Sequence, residues 1–268
     1  NDNSFRYAII SNPTLPIYDP NPQSPNFGGY AERDIFDWFN PVSIAEQNIN
    51  DGRESRLLAS IRGEYNFTSN FKASAFYSSQ RETFWNGSYS PKTAKFGGGF
   101  GRKGLASIRN NETLNDLFET TLNYDKAVGK LDMSFLGGYS YQEFFFQGDY
   151  TQAGNFLTDA FTYNNLGAAL DFANGLASVS SYASENKLVA FFGRANFNFD
   201  DTYLLSISSR YEGSTRFGEN NKWGLFPAVS AGVNIANLVD ITGVNALKVR
   251  ASYGIVGNQE IGNFTSLQ

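Results

Sequence analysis

The 268-residue chain contains no cysteine and no histidine, one methionine, 25 phenylalanines and 15 tyrosines, with a formal net charge of −5. Without Cys or His there is no disulfide, no thiol nucleophile, no His-based triad and no typical zinc site, and the acidic balance disfavours nucleic acid, whose phosphates need a basic surface. Aromatics make up 16% of the chain against 18% charged residues, a mixture suited to strands with aromatic girdles, and no apolar run approaches the roughly 18 residues of a membrane helix.

Residues 1–52 read as a loop region leading into the first strand. From there a period-2 apolar rhythm returns in segment after segment, and such alternation is the mark of a strand with unlike faces. The first strand runs near 56–67, with Leu57, Ala59, Ile61, Tyr65 and Phe67 on one face. Thr68-Ser69-Asn70 turns it into a second strand over 71–84, which begins with Phe71, Ala73, Ala75 and Tyr77 on one side. A third near 116–128 and a fourth over 131–146 are joined by Gly129-Lys130; the fourth points Leu131, Met133, Phe135, Gly137, Tyr139 and Tyr141 outward. The fifth (188–199) and sixth (203–212) meet across Asp200-Asp201-Thr202. The seventh, 225–235, is the clearest: Leu225, Pro227, Val229, Ala231, Val233 and Ile235 alternate with Phe226, Ala228, Ser230, Gly232 and Asn234. The eighth covers 247–256.

Tight turns therefore alternate with long loops at about 85–113, 147–186 and 213–222, the layout of an outer-membrane barrel with short periplasmic turns and long extracellular loops. Aromatics gather beside the tight turns (Phe67, Phe71, Tyr124, Phe197, Phe199, Tyr203) and toward the other end (Phe84, Trp85, Phe144, Phe145, Trp223), as a pair of interfacial belts requires. Inward positions are mostly small, among them Ser60, Ser74, Ser134, Gly138, Ser206, Ser208 and Ser230. Small interior residues suit a wide barrel rather than a closed eight-stranded one packed with interlocking side chains. The fold expected is all-β: an antiparallel transmembrane β-barrel, of which these eight strands are a fragment. The chain opens at Asn1 with neither Met nor signal peptide and stops in polar sequence, so it is expected to be a piece of something longer. A soluble β-sandwich or propeller also alternates, but its strands are typically five or six residues long.

Two other patterns carry less. Gly99-Phe-Gly-Arg-Lys-Gly104 matches the dinucleotide pattern G-x-G-x-x-G, yet it lies in a long loop without the strand before and helix after that the phosphate needs. The stretch from Leu166 to Val179 can form a short helix inside an outer loop.

Several stretches together resemble one family. Arg210-Tyr-Glu-Gly-Ser-Thr-Arg-Phe-Gly-Glu-Asn-Asn-Lys-Trp-Gly-Leu-Phe-Pro-Ala-Val-Ser-Ala-Gly232 is similar to a segment of the SusC/RagA-type TonB-linked (TonB-dependent) outer-membrane transporters of the Bacteroidetes. So are Leu247-Lys-Val-Arg-Ala-Ser-Tyr-Gly-Ile-Val-Gly-Asn-Gln-Glu-Ile-Gly-Asn-Phe264, Asn12-Pro-Thr-Leu-Pro-Ile-Tyr-Asp19 and Phe39-Asn-Pro-Val42. Val233 departs from the family's frequent Trp, on the lipid side. The resemblance implies the middle of a barrel of about twenty-two strands occluded by a plug, in the bacterial outer membrane and in contact with its lipid. It implies TonB-driven import of glycans or peptides, captured with a SusD-like surface lipoprotein, with no covalent chemistry and no cofactor. Neither the plug domain nor the TonB box is matched in this sequence, so coupling to the TonB complex would run through parts not present here. The alternatives left open are a passive porin or adhesin barrel, and a soluble carbohydrate-binding β-domain.

Two groups are candidate functional residues. Trp85, Tyr89, Phe144, Phe145 and Phe146, at the loop ends, are placed to stack on a sugar or to meet a lid protein; girdle or loop packing is the plainer role. Arg62, Glu64, Arg194, Arg210, Lys248 and Arg250, at inward positions, are placed to line the lumen or bond a plug, against a structural polar network.

Overall fold

The computed structural model describes residues 2–32, 38–239, 243, 246–259 and 261–263; Glu260 and Phe264 of the second family-like block lie outside them. Eight strands dominate: β1 (Ile49–Asn66), β2 (Phe71–Ser90), β3 (Leu105–Val128), β4 (Leu131–Gly154), β5 (Ser178–Phe199), β6 (Tyr203–Ser214), β7 (Trp223–Asn234) and β8 (Lys248–Gly254). Helices α1 (Asp2–Ile10) and α2 (Pro41–Gln47) precede them, and the one-turn α3 (Leu170–Ala173) lies between β4 and β5. The strands form one sheet in sequence order, and the ladders from β5 through β8 are antiparallel. No helix among the described residues is long and apolar enough to cross a membrane, which says nothing about crossing by strands.

Register separates the two faces cleanly. Ala195 lies opposite Ile207 and Phe197 opposite Leu205; Ile207 in turn faces Val229, and Val229 faces Tyr253. On the other side Asn196 faces Ser206, Ser206 faces Ser230, and Ser230 faces Ser252. Because the side-chain period is two, a slip of one residue in any ladder would mix these sets. Each face is thus maintained across four strands by pairing.

Aromatic rings mark two rows on the apolar face. Near the tight turns Tyr65 meets Phe67 edge-on at 4.9 Å, Phe67 stacks on Phe71 at 5.1 Å, and Phe135 meets Phe197 at 5.8 Å. Farther along, Tyr139 contacts Phe191 at 5.2 Å and Tyr211 stacks on Trp223 at 4.8 Å. From Tyr203 to Tyr211 is eight steps of strand, about 26 Å at roughly 3.3 Å each, or about 20 Å of height at the usual tilt of about 40°, which fits within the apolar band of about 25 Å in outer-membrane barrels. The second belt therefore runs through Tyr139, Phe191, Tyr211 and Trp223. The sequence reading included Trp223 but set the rest of the belt farther out, at Phe84, Trp85, Phe144 and Phe145, because a cluster of rings is easier to see than a row assembled from four strands.

The tight turns are laced to their neighbours. Asn70 Nδ2 donates to the Asp125 carbonyl at 2.7 Å, Lys130 Nζ pairs with Asp200 at 2.6 Å, and Asn237 Nδ2 reaches the Asp201 carbonyl at 3.0 Å. Gly129 supplies the positive φ (61°) of the two-residue β3–β4 turn, the geometry that matches strand twist.

At the other ends the strands outrun the sequence reading. β2 to β5 have 20, 24, 24 and 22 residues, where the apolar alternation suggests about twelve to sixteen. Phe71 to Tyr89 alone is about 60 Å of strand at roughly 3.3 Å per residue, against a hydrocarbon core of about 30 Å. Beyond lipid a strand needs no greasy face, so its polar continuation reads as loop. The long connections shrink accordingly to 91–104 and 155–177, with 215–222 between β6 and β7.

The chain divides into two compact units. One is Arg56–Glu82, Thr113–Phe146 and Ala183–Gln268, the stretches nearest the tight turns together with β6, β7 and β8. The other is Asn1–Ser55, Thr83–Glu112 and Gln147–Tyr182. Its core joins buried Tyr89, Ala106, Ala153, Phe156 and Ala169. In this unit the Phe39-Asn-Pro-Val element starts α2: Asn40 caps it by accepting from the amides of Val42 and Ser43, with Pro41 in the first turn. Asn40 Nδ2 also donates to the carbonyls of Ile17 (2.8 Å) and Ala31 (3.1 Å), and Phe39 meets Tyr7 edge-on at 5.4 Å.

The two-faced sheet sets a sharp expectation for paired substitutions in the full-length receptor. Val229→Lys puts a charge on the apolar face near mid-strand and should cost about 2–4 kcal/mol, whereas Ser230→Lys on the polar face should cost much less. Urea unfolding with heat-modifiable gel migration as the readout checks this, and equal losses would mean the faces are misassigned.

Candidate functional site

The polar face of β4–β8 is built from small residues interrupted by cations. Arg194 lies opposite Ser208, Arg250 opposite Gly232 and Lys248 opposite Asn234, and Arg210 stands between Phe192 of β5 and Phe226 of β7. All four cations singled out on these strands therefore share one face. Arg210 is held from several sides: its Nε donates to Glu212 two residues on, its Nη2 reaches Ser140 Oγ at 3.4 Å, and its guanidinium lies 5.6 Å from the Phe192 ring centre. Gly138 makes room for that ring, since a Cβ there would come within 2.3 Å of Phe192. Beside Arg210, a cleft of about 480 Å³ is lined by Glu212, Phe217, Lys222, Trp223, Phe226 and Asn258 among others.

On β1 and β2 the other two inward candidates also have partners. Glu64 pairs with Lys72 at 2.9 Å and lies 3.9 Å from Arg62, and the Arg62 guanidinium sits 5.0 Å from the Phe76 ring centre.

The aromatic candidates do not form one surface. Trp85 meets Tyr163 edge-on at 5.6 Å and takes the Arg53 guanidinium over its ring at 5.4 Å. Tyr89 is only 2% exposed, packs edge-on against Phe156 and donates its hydroxyl to Asp159 at 2.6 Å. It is a core residue of the loop scaffold, and its burial removes it as a surface contact for ligand or lid. Phe144, Phe145 and Phe146 are half-buried, and the alternation of β4 divides them, with Phe144 and Phe146 on the side of Ser140 and Phe145 on the side of Tyr139.

The Gly99–Gly104 loop has a packing explanation. A Cβ on Gly99 would lie 2.3 Å from the Pro91 carbonyl oxygen, and Gly104 holds φ +88° with its Cα hydrogens against Tyr89 Oη. Arg102 within the loop pairs with Asp171, which is 1% exposed. These glycines serve close backbone packing, and no helix follows them to receive a phosphate. The helix expected between Leu166 and Val179 is a single turn of α-helix, α3, after a 3-10 segment over Thr162–Ala168.

Sequence reasoning missed Asp159, Tyr163, Asp171, Phe192 and Phe226. One signal was available for Asp171: it is the only charged residue between Asp159 and Glu185. A lone carboxylate in so neutral a stretch is expected to be either solvated or paired, and here it is paired. Nothing local marks Phe192, whose setting is made by Gly138 on another strand, while Phe226 is set by Gly224 on its own strand and by the distant Gly257.

An antiparallel ladder with one polar face and one lipid-compatible face bordered by belts of aromatics defines the wall of an outer-membrane β-barrel. Comparison with known proteins agrees. Residues 1–260 match the family described as TonB dependent receptor-like, beta-barrel, and the chain belongs to that family. It is 31% identical over 269 residues to TonB-dependent receptor P3 of Formosa agariphila, covering 98% of this chain and 25% of that protein. It is 32% identical over 145 residues to TonB-dependent receptor SusC of Bacteroides thetaiotaomicron, covering 53% of this chain and 14% of that one. Among solved structures the RagAB peptide transporter matches with a TM-score of 0.78 and 21% identity, over 88% of this chain and 27% of the other; that likeness is one of fold. The chain thus spans about a quarter of the length of the full-length relatives that it matches end to end. Its relatives are receptors of the bacterial outer membrane and not enzymes.

Burial first, and then the Asp159 carboxylate, hold the Tyr89 phenol above its ordinary range. The raised value favours the protonated donor, so the bond's contribution is complete below about pH 10 and is lost only as pH rises through the elevated value. Tyr89→Phe should leave Asp159 short of a donor, costing about 1–3 kcal/mol of local stability. Faster hydrogen exchange around Phe156, with unchanged heat-modifiability of the barrel, is the expected result.

Proposed function

We propose that this chain is the middle of the barrel wall of a SusC-like, TonB-dependent importer that takes up glycans or peptides across the outer membrane. The observation that carries the reading is the segregation of faces, held in register across four strands, in a chain of the TonB-dependent receptor-like family. The apolar face meets lipid and the polar face turns inward, where Arg194, Arg210, Lys248, Arg250, Arg62 and Glu64 line the lumen or bond a plug. Strands from the rest of the protein complete the barrel at the edges of β1 and β8, because lipid does not tolerate unpaired backbone. Residues 1–52 and the connections around 85–113, 147–186 and 213–222 face outside the cell. There Trp85, Phe144, Phe145 and Phe146 contribute contacts to the cargo or to a SusD-like surface lipoprotein, and energy reaches the barrel from the TonB complex through the plug.

The test uses the full-length gene in its own host. Deleting it should abolish growth on one glycan or peptide source from a panel while sparing growth on the monomers. Affinity purification of the tagged receptor should bring down one surface lipoprotein. Collapse of the proton-motive force should stop uptake of that source. Uptake that persists through the collapse would establish a passive porin in place of the importer.

A further inference from the structure

We propose that Asp171 is a pin that fuses the β2–β3 and β4–β5 connections into a single body, so that the two open and close together. The Asp171 carboxylate is buried, lies in the β4–β5 connection, and accepts from Arg102 of the β2–β3 connection and from the Gly154 amide at 2.6 Å. A buried carboxylate requires such partners, because losing one leaves an uncompensated charge out of water.

The backbone around the pin is joined in the same place. The Asn155 amide donates to the Arg102 carbonyl at 2.6 Å, Phe156 to Lys103 at 3.0 Å, and Leu170 to Asn155 at 3.1 Å. The Leu176 amide returns to the Asp171 carbonyl at 2.9 Å. Gly154 is the point where the three strands of backbone meet: a Cβ there would lie 2.8 Å from the Gly104 oxygen, 3.0 Å from the Arg102 oxygen and 3.0 Å from Asp171 Oδ2.

One further tie binds the same two connections, and another links the β4–β5 connection and β2 to the start of β1. Asp159, of the β4–β5 connection, accepts from Tyr89 Oη at 2.6 Å and from the Lys92 amide at 3.3 Å, while Lys92 Nζ donates to the Leu157 carbonyl at 2.6 Å. Tyr163 donates to Asp51 at the start of β1, and Asn86 Nδ2 bonds Asn50 Oδ1 at 2.7 Å and the Asp51 carbonyl at 2.9 Å. Loops that share a buried charge, a backbone junction and an apolar core have no separate way to open, because each would expose what the other buries.

The experiment is limited chymotrypsin digestion of the full-length receptor in outer-membrane vesicles, with mass spectrometry of the cuts. The unmodified receptor should resist cleavage in both 91–104 and 155–177. Arg102→Met and Asp171→Asn should each raise cleavage in both segments by a common factor, on the order of a hundredfold, since proteolysis follows the population of the open form. A rise in one segment with the other still protected overturns the proposal, and so does no rise in either. Should the variants fail to assemble, hydrogen exchange on the unmodified receptor decides. The amides of Arg102 and Gly104 should show the same protection as those of Leu170 and Leu176, and unlike values would show two independent loops.

Discussion

Everything in this chain follows from the need to pair each backbone N–H and C=O inside hydrocarbon. Leaving one such group unpaired in lipid costs several kcal/mol, so a wall made of strands must be a continuous ladder, and β1 to β8 are arranged as one in sequence order. Once the ladder exists, the side chains have only two directions to take. Register then decides which residues meet lipid, and it places Ile207 beside Val229 and Ser206 beside Ser230 without further instruction. The lacing of one tight turn to the next through Asn70, Lys130 and Asn237 fixes the ladder at the rim, where slippage would begin.

The same strands pass through two physical regimes. Between the aromatic rows, the ladder is stabilised by lipid contact on one side and small residues on the other. In the unit that holds the long connections, the organising interactions are tyrosine–carboxylate bonds (Tyr89–Asp159, Tyr163–Asp51), a buried ion pair and a small apolar core. Such a scaffold is what long connections require, because conformational entropy otherwise favours the unfolded loops.

This division explains what was legible in the sequence. The fold class, the three tight turns and the apolar stretches of all eight strands could be read because lipid imposes alternation, and alternation is a one-dimensional signal: Leu225 to Ile235 displays it residue by residue. The upper halves of β2 to β5 were hidden, since Asn86-Gly-Ser-Tyr-Ser90 and Gln147-Gly-Asp-Tyr150 have the composition of loops. Their strand state is dictated by the neighbouring strand. The inward cations were legible from parity, but their partners were not: Phe192 over Arg210 depends on Gly138, 54 residues earlier in the chain. Tyr89 was misjudged for the same reason, as an aromatic beside a predicted loop looks exposed until the loop is folded onto it.

The pairing on the polar face bears on how such a wall could serve passage. A pore must bind cargo strongly enough to admit it and weakly enough to release it. Isolated guanidinium groups along the lumen would trap anionic groups by forked hydrogen bonds. Here Arg210 is occupied by Glu212, Ser140 and the Phe192 face, while Glu64 is shared by Lys72 and Arg62. These pairs are partly exposed and contribute little to stability, typically 0–1 kcal/mol each. Their effect is to keep hydrogen-bonding groups on the wall while cancelling its local charge. Where its charges are matched in this way, around Arg210 and Glu64, the polar face is wettable without being adhesive, which is the property that the proposed route for a large polar nutrient demands.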